Sequence, residues 1–471
     1  MDFTGNRSRW AVIFGLLLLA AVPRVMMAWR IDVLCPDATI YVQQAEALQS
    51  GRLQTSTLDI HRWLYPAILA LLNAAGLSWE TAGELWGILV SSLVVVPLYL
   101  WVHSRYPQRH YGLIACLLYA THPEFIEWSV ELIRDATFWL LFACSVAFAF
   151  HGKQPRWKSG CALAVLAGLF RIEGFLLVLV LVWQRSRALS ISLIALLIGL
   201  GFLFPAGPLG SVAAMDFVAL LQLNQLPAFC LAILSGMHPL FFGLWVVALC
   251  TMATQGRRQS DFDGLGSATY GLLVLAMWIH MSRVGSLEPR YALVLVILAL
   301  PLMAQGLTSL CERRKHPQVA MTLLLLAIAV MGWADAWTTR YDSRQARAKL
   351  GSWLRNSYGS ELQIAGHDDL ERMVGHYSGS WQTTLPAKFD SKLLLAAQAN
   401  RNVLLLSEKS AKPNQIGQWV KAAVEVGYRE LPCPKEIADR YPGICILTCF
   451  PAQRRLRVPV PIVATRPSVD R

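Results

Sequence analysis

Four short stretches put charge where a membrane chain has little reason to carry it. The first is Arg30–Pro66, which holds Asp37 in Pro36-Asp37-Ala38 and runs on to Tyr41, His61 and Tyr65. The others are Glu131-Leu132-Ile133-Arg134-Asp135, Arg171-Ile172-Glu173 and Glu288-Pro289-Arg290-Tyr291. An acid such as Asp37 can accept the proton of an attacking hydroxyl, a role that needs position and a pKa not far below ambient. Alone, an acid just outside an apolar run is more often a solvated helix cap. Arg290 carries a planar fork suited to one phosphate, although an arginine at a helix end also snorkels to lipid phosphate. Glu131 and Asp135 share a helical face, and a helix-start ion-pair cluster with Arg134 explains them equally well. Arg171 and Glu173 fall in the middle of the apolar run Gly160–Gln184. An ionised group at mid-bilayer costs roughly 2.5–3.5 kcal/mol even on the lenient insertion scale. These two therefore either pair structurally or line a functional cavity. His61 is a minor candidate, because one histidine does not make a metal site.

The elements that must position these residues are apolar helices. Of 471 residues, 55% are hydrophobic and only 15% charged, against about a quarter charged in a soluble chain. Uncharged runs such as Leu85–Val102, Ala188–Met215 and Tyr291–Cys311 are long enough to cross a bilayer. The net charge of +12 does not point to nucleic acid. Its basic residues sit in short clusters between apolar runs, the positive-inside pattern. No phosphate loop, zinc-finger spacing or dinucleotide fingerprint is present, so no soluble nucleotide-binding domain is expected.

Read in order, Trp10–Trp29 is a signal-anchor with a cytoplasmic amino terminus, and residues 30–84 form a long first outside loop. Within that loop Ala38–Leu48 reads as a helix, with Tyr41, Ala45 and Leu48 on one face. Leu64–Leu77 is too short to span and reads as interfacial. Leu85–His103 returns, Tyr111–Thr121 leaves, His122-Pro123-Glu124 breaks the run, and Ala136–Phe150 returns. Two short crossings meeting at Arg171 keep the basic clusters on either side of Gly160–Gln184 in the cytoplasm. Leu189–Ala206, Gly236–Thr254, Gly266–Ser282, Ala292–Leu310 and Pro317–Trp333 complete about eleven crossings, with part of Gly207–Ser235 re-entrant or interfacial. This parity puts all four charged stretches on the outer face.

The composition changes near Tyr341. Residues 342–356 read as an amphipathic helix, Leu362–Ala365, Asn402–Leu406 and Ile444–Phe450 as strands, and residues 390–399 and 412–426 as helices. Residues 341–453 are thus a small α/β domain, outside by parity, and residues 454–471 a disordered tail. Of the ten cysteines, Cys433, Cys445 and Cys449 lie in this polar part. An oxidising compartment would allow one disulfide there, with Cys433–Cys445 the pair to test.

Taken together, these residues resemble the GT-C superfamily of integral membrane glycosyltransferases. The nearest branch is the bacterial relatives of dolichyl-phosphate-mannose protein mannosyltransferases and the aminoarabinose lipid A transferases. The resemblance rests on Pro36-Asp37-Ala38 with Tyr41, on Leu64-Tyr65-Pro66, on Asp135 and on Gly168-Leu169-Phe170-Arg171-Ile172-Glu173-Gly174. It rests also on Arg290-Tyr291, and it covers most of residues 1–340. It implies a polytopic α-helical GT-C fold in a bacterial cytoplasmic membrane. It further implies transfer of a sugar, with inversion, from a polyprenyl-phosphate donor to an acceptor hydroxyl on a glycan, lipid or protein. Asp37 would be the general base. Arg290 and Arg171 would bind the donor phosphate, with Tyr41, Glu131, Arg134, Asp135, Glu173, Glu288, Tyr291 and His61 in supporting or sugar-binding roles. A divalent metal is compatible with the resemblance but not required by it, since Ala38 stands where many relatives have a second acid. The rival readings are a transporter or flippase of lipid-linked sugars, which would need a midplane site and matching half-repeats, and a polysaccharide polymerase or ligase.

Overall fold

An apolar stripe on its outer surface marks the first helix as lipid-facing. In α1 (Asn6–Ala28) the side chains of Phe14, Leu18, Val22 and Met26 recur every four residues and are exposed, whereas Leu16, Ala20 and Met27 are buried. The last helix of the apolar part, Pro317–Trp337, repeats this with Val319, Leu323, Leu326 and Val330 exposed. Exposed apolar stripes at helical spacing suit hydrocarbon, and charge is kept inside.

The computed structural model describes residues 6–31, 33–51, 63–106, 109–150, 156–187, 223–255, 262–312, 314–338, 342–359, 362–366, 370–379, 381–384, 402–407, 420–439 apart from 422 and 426, and 444–448. They form two compact units, Met1–Asp32 with Tyr41–Thr338, and Val33–Ile40 with Thr339–Arg471.

Along the chain α1 is followed by α2 (Pro36–Gln49), whose residues up to Ile40 group with the second unit, and then in the first unit by α3 (Leu64–Ala74), α4 (Trp79–Leu93), α5 (Val95–Arg105), α6 (Arg109–Thr121), α7 (Pro123–Val130), α8 (Asp135–Ala149), α9 (Trp157–Phe170) and α10 (Glu173–Arg185). Helices Leu226–Met237, Pro239–Gln255, Phe262–Val284, Leu293–Glu312 and Pro317–Trp337 complete that unit. Among the described residues four helices are long and apolar enough to cross a membrane: Trp10–Ala28, Trp79–Arg105, Pro289–Glu312 and Pro317–Trp337. The pair Leu226–Met237 and Pro239–Thr251, bent by 95°, makes a fifth if counted as one span. The run expected at Leu85–His103 is longer at both ends and breaks at Val94. Pro97 explains the break, since it has no N–H to donate to the Leu93 carbonyl. Of the four long apolar helices, Pro289–Glu312 is the most enclosed, with Leu293–Pro301 buried on every side. The span expected at Leu189–Ala206 lies outside the described residues.

The break expected at Arg171 is present. Arg171 is extended (φ −146°, ψ 137°) between α9 and α10, and the two helices fold back on each other. Glycine makes the close turn feasible: a Cβ on Gly174 would lie 2.2 Å from the Gly168 nitrogen.

The second unit contains a five-stranded mixed sheet in the order β2-β1-β3-β5-β4. Its strands are β1 (Gln363–Gly366), β2 (Trp381–Thr384), β3 (Asn402–Ser407), β4 (Arg429–Leu431) and β5 (Ile444–Thr448). β1 runs parallel to β2 and β3, whereas β5 is antiparallel to β3 and β4. Leu350 and Leu354, one turn apart on the helix Asp342–Tyr358, pack with Ile364, Leu370, Val374, Val403, Leu405 and Ile446. The two strands that the sequence reading missed, β2 and β4, are the polar edges of the sheet. Edge strands are commonly short and polar, which hides them from a hydrophobic pattern. The helix expected at 390–399, most of that at 412–426, and the tail from Arg454 lie outside the described residues.

The suggested Cys433–Cys445 disulfide is not formed. Cys433 packs against the core that Ile446 enters. Cys445, its neighbour in β5, must point to the opposite face of the sheet. Burial also pushes the Cys433 thiol pKa up, which keeps it protonated and unreactive.

Candidate active site

Two buried arginines approach one tyrosine ring. The first, Arg171, comes from the α9–α10 break and is only 6% exposed. Its Nη1 donates to Asp135 Oδ1 in a very short contact, and its Nη2 donates to Glu173 Oε1 at 2.6 Å. Its Nε donates to both Glu173 carboxylate oxygens at 3.2 and 3.3 Å. Both acids open helices, Asp135 in α8 and Glu173 in α10. The positive end of a helix dipole stabilises a carboxylate in its first turn. Two helix starts and one guanidinium therefore hold two buried carboxylates together. The Arg171 Cζ also lies 4.4 Å from the Tyr291 ring centroid and 5.7 Å from that of Phe138.

The second arginine, Arg290, sits in the 3-10 turn Pro289–Ala292 that precedes Leu293–Glu312. It is 7% exposed and forms an ion pair with Glu288, which is half-exposed. Its Cζ lies 5.0 Å from the Trp128 ring and 5.8 Å from the Tyr291 ring. Trp128 of α7 is in turn fixed by its indole N–H, which donates to Glu124 Oε2 at 2.9 Å. Both guanidinium groups thus lie near the Tyr291 ring centroid, at 4.4 and 5.8 Å, with the His280 ring 5.0 Å away. Chemically, Arg171 is committed to two carboxylates, whereas Arg290 rests on aromatic faces beside one solvated acid. The second arrangement pairs a buried guanidinium with an acid that reaches solvent, and a guanidinium is a planar donor suited to phosphate.

Of the residues singled out in the sequence, Asp135, Arg171, Glu173, Glu288, Arg290 and Tyr291 are brought together. Arg134 precedes α8 directly, and Glu131 is buried at the end of α7. There Gly87 lets α4 close on the chain, since a Cβ on Gly87 would lie 2.1 Å from the Ser129 carbonyl oxygen. Tyr41 of α2 is buried edge-on against Tyr65, with centroids 5.1 Å apart. Asp37 lies in the first turn of α2, on the stretch Val33–Ile40 that groups with the second unit. His61 lies outside the described residues. Among the described residues no cluster of three His, Cys, Asp or Glu side chains could hold a metal ion.

Sequence reasoning missed Trp128 and Glu124 as parts of this cluster. A capital clue was available: Trp128 follows Glu124 by one helical turn in a segment already known to carry acids. It also passed over Arg24, fully buried in α1, which donates to Ser91 Oγ at 3.0 Å and to the Ala20 carbonyl at 2.7 Å. The guanidinium lies 5.1 Å from the Tyr119 ring, so Arg24 ties α1 to α4 and α6. A further polar group forms at the 95° kink. There His238 adopts φ 58° and approaches Asp335 at 3.5 Å, while His122 lies 3.2 Å from the Met237 carbonyl.

No family model matches the chain, and no curated protein matches it. Solved structures do share its fold. ArnT from Cupriavidus metallidurans in the apo state aligns over 95% of this chain and 99% of its own, at 15% identity and a TM-score of 0.52. The same protein bound to undecaprenyl phosphate aligns over the same shares at 14% identity and a TM-score of 0.54. An oligosaccharyltransferase from Archaeoglobus fulgidus, solved with zinc and sulfate, aligns over 88% of this chain and 69% of its own, at 11% identity and a TM-score of 0.53. At these identities the likeness is one of fold, and it is the fold that the GT-C resemblance leads one to expect.

Proposed function

We propose that this protein is a membrane glycosyltransferase that moves a sugar from a polyprenyl-phosphate carrier to an acceptor hydroxyl, with inversion. The observation that carries the reading is Arg290, a buried guanidinium held on Trp128 and Tyr291 with a half-exposed acid as its ion-pair partner. That is a place where a phosphate ester can be gripped beside apolar helices, and a lipid-linked donor needs both. The fold shared with a transferase solved with undecaprenyl phosphate supports the same donor class.

In this reading Asp37 takes the acceptor hydroxyl proton as the acceptor oxygen attacks the anomeric carbon. The bond from that carbon to the phosphate oxygen breaks, and its electron pair leaves with polyprenyl phosphate. Arg290 stabilises the departing charge, where preorganised positive charge is worth most. Arg171, shared between Asp135 and Glu173, is assigned the task of holding Tyr291 and the helix starts in place rather than binding phosphate directly. Glu131, Arg134 and Glu288 complete the polar surroundings. The topology read from the positive-inside pattern, about eleven spans with a cytoplasmic amino terminus, puts this chemistry and the α/β unit on the outer face of a bacterial cytoplasmic membrane.

The test is transfer of labelled sugar from a panel of polyprenyl-phosphate sugars by purified protein, comparing wild type with Asp37→Asn. Transfer by wild type and near-total loss in a folded, donor-binding variant supports class and base together. Equal transfer by both removes Asp37 from the chemistry. Movement of lipid-linked sugar across vesicles without transfer to any acceptor would replace the enzyme with a flippase.

A further inference from the structure

The stretch Val33–Ile40 is distant in sequence from residues 339–471, yet it belongs to the same compact unit. Within that unit the Leu34 backbone N–H donates to the Tyr377 hydroxyl at 2.9 Å, across 343 residues of chain. Leu34 is buried, as are Val33, Cys35, Ala38 and Thr39. A buried backbone N–H must find an acceptor, and here a side chain from the α/β unit supplies it.

The turn that this bond holds leads directly into Asp37. Pro36 opens α2, where its fixed φ suits the first helical position. The Thr39 hydroxyl donates back to the Pro36 carbonyl at 2.7 Å, and the Ala38 N–H donates to the Cys35 carbonyl at 3.0 Å. The local bonds close the turn, and the Leu34–Tyr377 bond ties it to the helix Leu370–Ser378. Tyr377 is on the helix Leu370–Ser378, whose Leu370, Met373 and Val374 are buried. The neighbouring helix Asp342–Tyr358 approaches closely at Gly351, where a Cβ would lie 2.7 Å from the Tyr377 Cβ. The hydroxyl is thus mounted on two packed helices and a sheet.

We infer that Tyr377 is a positioning residue for Asp37, and that one task of the α/β unit is to hold the turn from which the proposed base projects. This rests on the role given to Asp37 above. General-base catalysis depends on a hydrogen-bond distance to the proton it removes, and small displacements of a positioned group cost rate more than binding. Loosening the turn therefore lowers kcat and leaves the donor KM unchanged.

The test uses the full-length protein in detergent or nanodiscs and the variant Tyr377→Phe, which removes the acceptor and keeps the ring. Hydrogen exchange of the peptide covering residues 33–40 is expected to speed up by about two- to tenfold at Leu34, the range for loss of one such bond. Transfer should show kcat lowered by a similar factor and an unchanged donor KM. Tyr358→Phe, a hydroxyl deletion elsewhere in the same unit, should alter neither readout. Unchanged exchange in Tyr377→Phe overturns the inference. Faster exchange with unchanged kcat also overturns it, leaving Tyr377 a purely structural tie. A wild type that transfers no sugar sinks the positioning role together with the proposed function. In that case the exchange result alone still decides whether Tyr377 holds the segment.

Discussion

Arg171 and Arg290 are the same residue type, are about equally buried and lie near the same tyrosine ring, yet their surroundings differ in kind. Arg171 is enclosed by two buried carboxylates that use Nη1, Nη2 and Nε. Arg290 lies on the Trp128 and Tyr291 faces with Glu288, a half-exposed acid. The difference shows how one site can contain both a cation enclosed by buried acids and a cation whose acid partner reaches solvent. A guanidinium between two buried anions is locked, because separating them strands charge in a low dielectric. A guanidinium on aromatic faces keeps its charge but has a solvated competitor that water can take over.

The largest effect should come from breaking the locked side. Arg171→Met strands two buried carboxylates and should destabilise the protein by about 3–5 kcal/mol, read as a lowered thermal unfolding midpoint in detergent. Adding Asp135→Asn and Glu173→Gln should restore much of that loss, since the stranded charge is then gone. An unchanged midpoint in Arg171→Met, with activity abolished, would exchange the roles assigned to the two arginines.

Arg290→Gln should behave in the opposite way, with little change in melting and a fall of about ten- to hundredfold in kcat/KM, the range for charge-assisted hydrogen bonds. A large loss of stability there would show a second locked cation. Trp128→Leu comes next. Losing the aromatic face should weaken donor binding by about two- to thirtyfold, with Trp128→Phe intermediate. The smallest effect sharpens the comparison most. Glu288→Gln removes the competitor for Arg290, so polyprenyl phosphate should bind up to about fivefold more tightly, in line with the modest strength of an exposed ion pair. Weaker binding in that variant would make Glu288 part of the ligand site.

The legibility of this site follows from the cost of charge in an apolar chain. Asp135, Arg171, Glu173 and Arg290 stood out because each interrupts or borders a run that would otherwise cross hydrocarbon. Trp128 and Glu124 did not, because a tryptophan and an acid near an interface are ordinary there. Arg24 is a lone charge within an apolar run, and its partner Ser91 lies 67 residues away on another helix.

The sequence by itself determined that this chain is an array of apolar helices followed by a mixed α/β segment, and that a small set of charges was expensive enough to need partners. The break at Arg171 was readable too, since two basic clusters flank a run too charged to be one span. Tertiary structure alone decided which guanidinium is enclosed by buried acids, because that depends on whether carboxylates from α8 and α10 converge on it. It alone joined Val33–Ile40 to the C-terminal unit. A backbone N–H carries no residue-type signal, so its choice of acceptor across 343 residues cannot be read from the pattern of side chains.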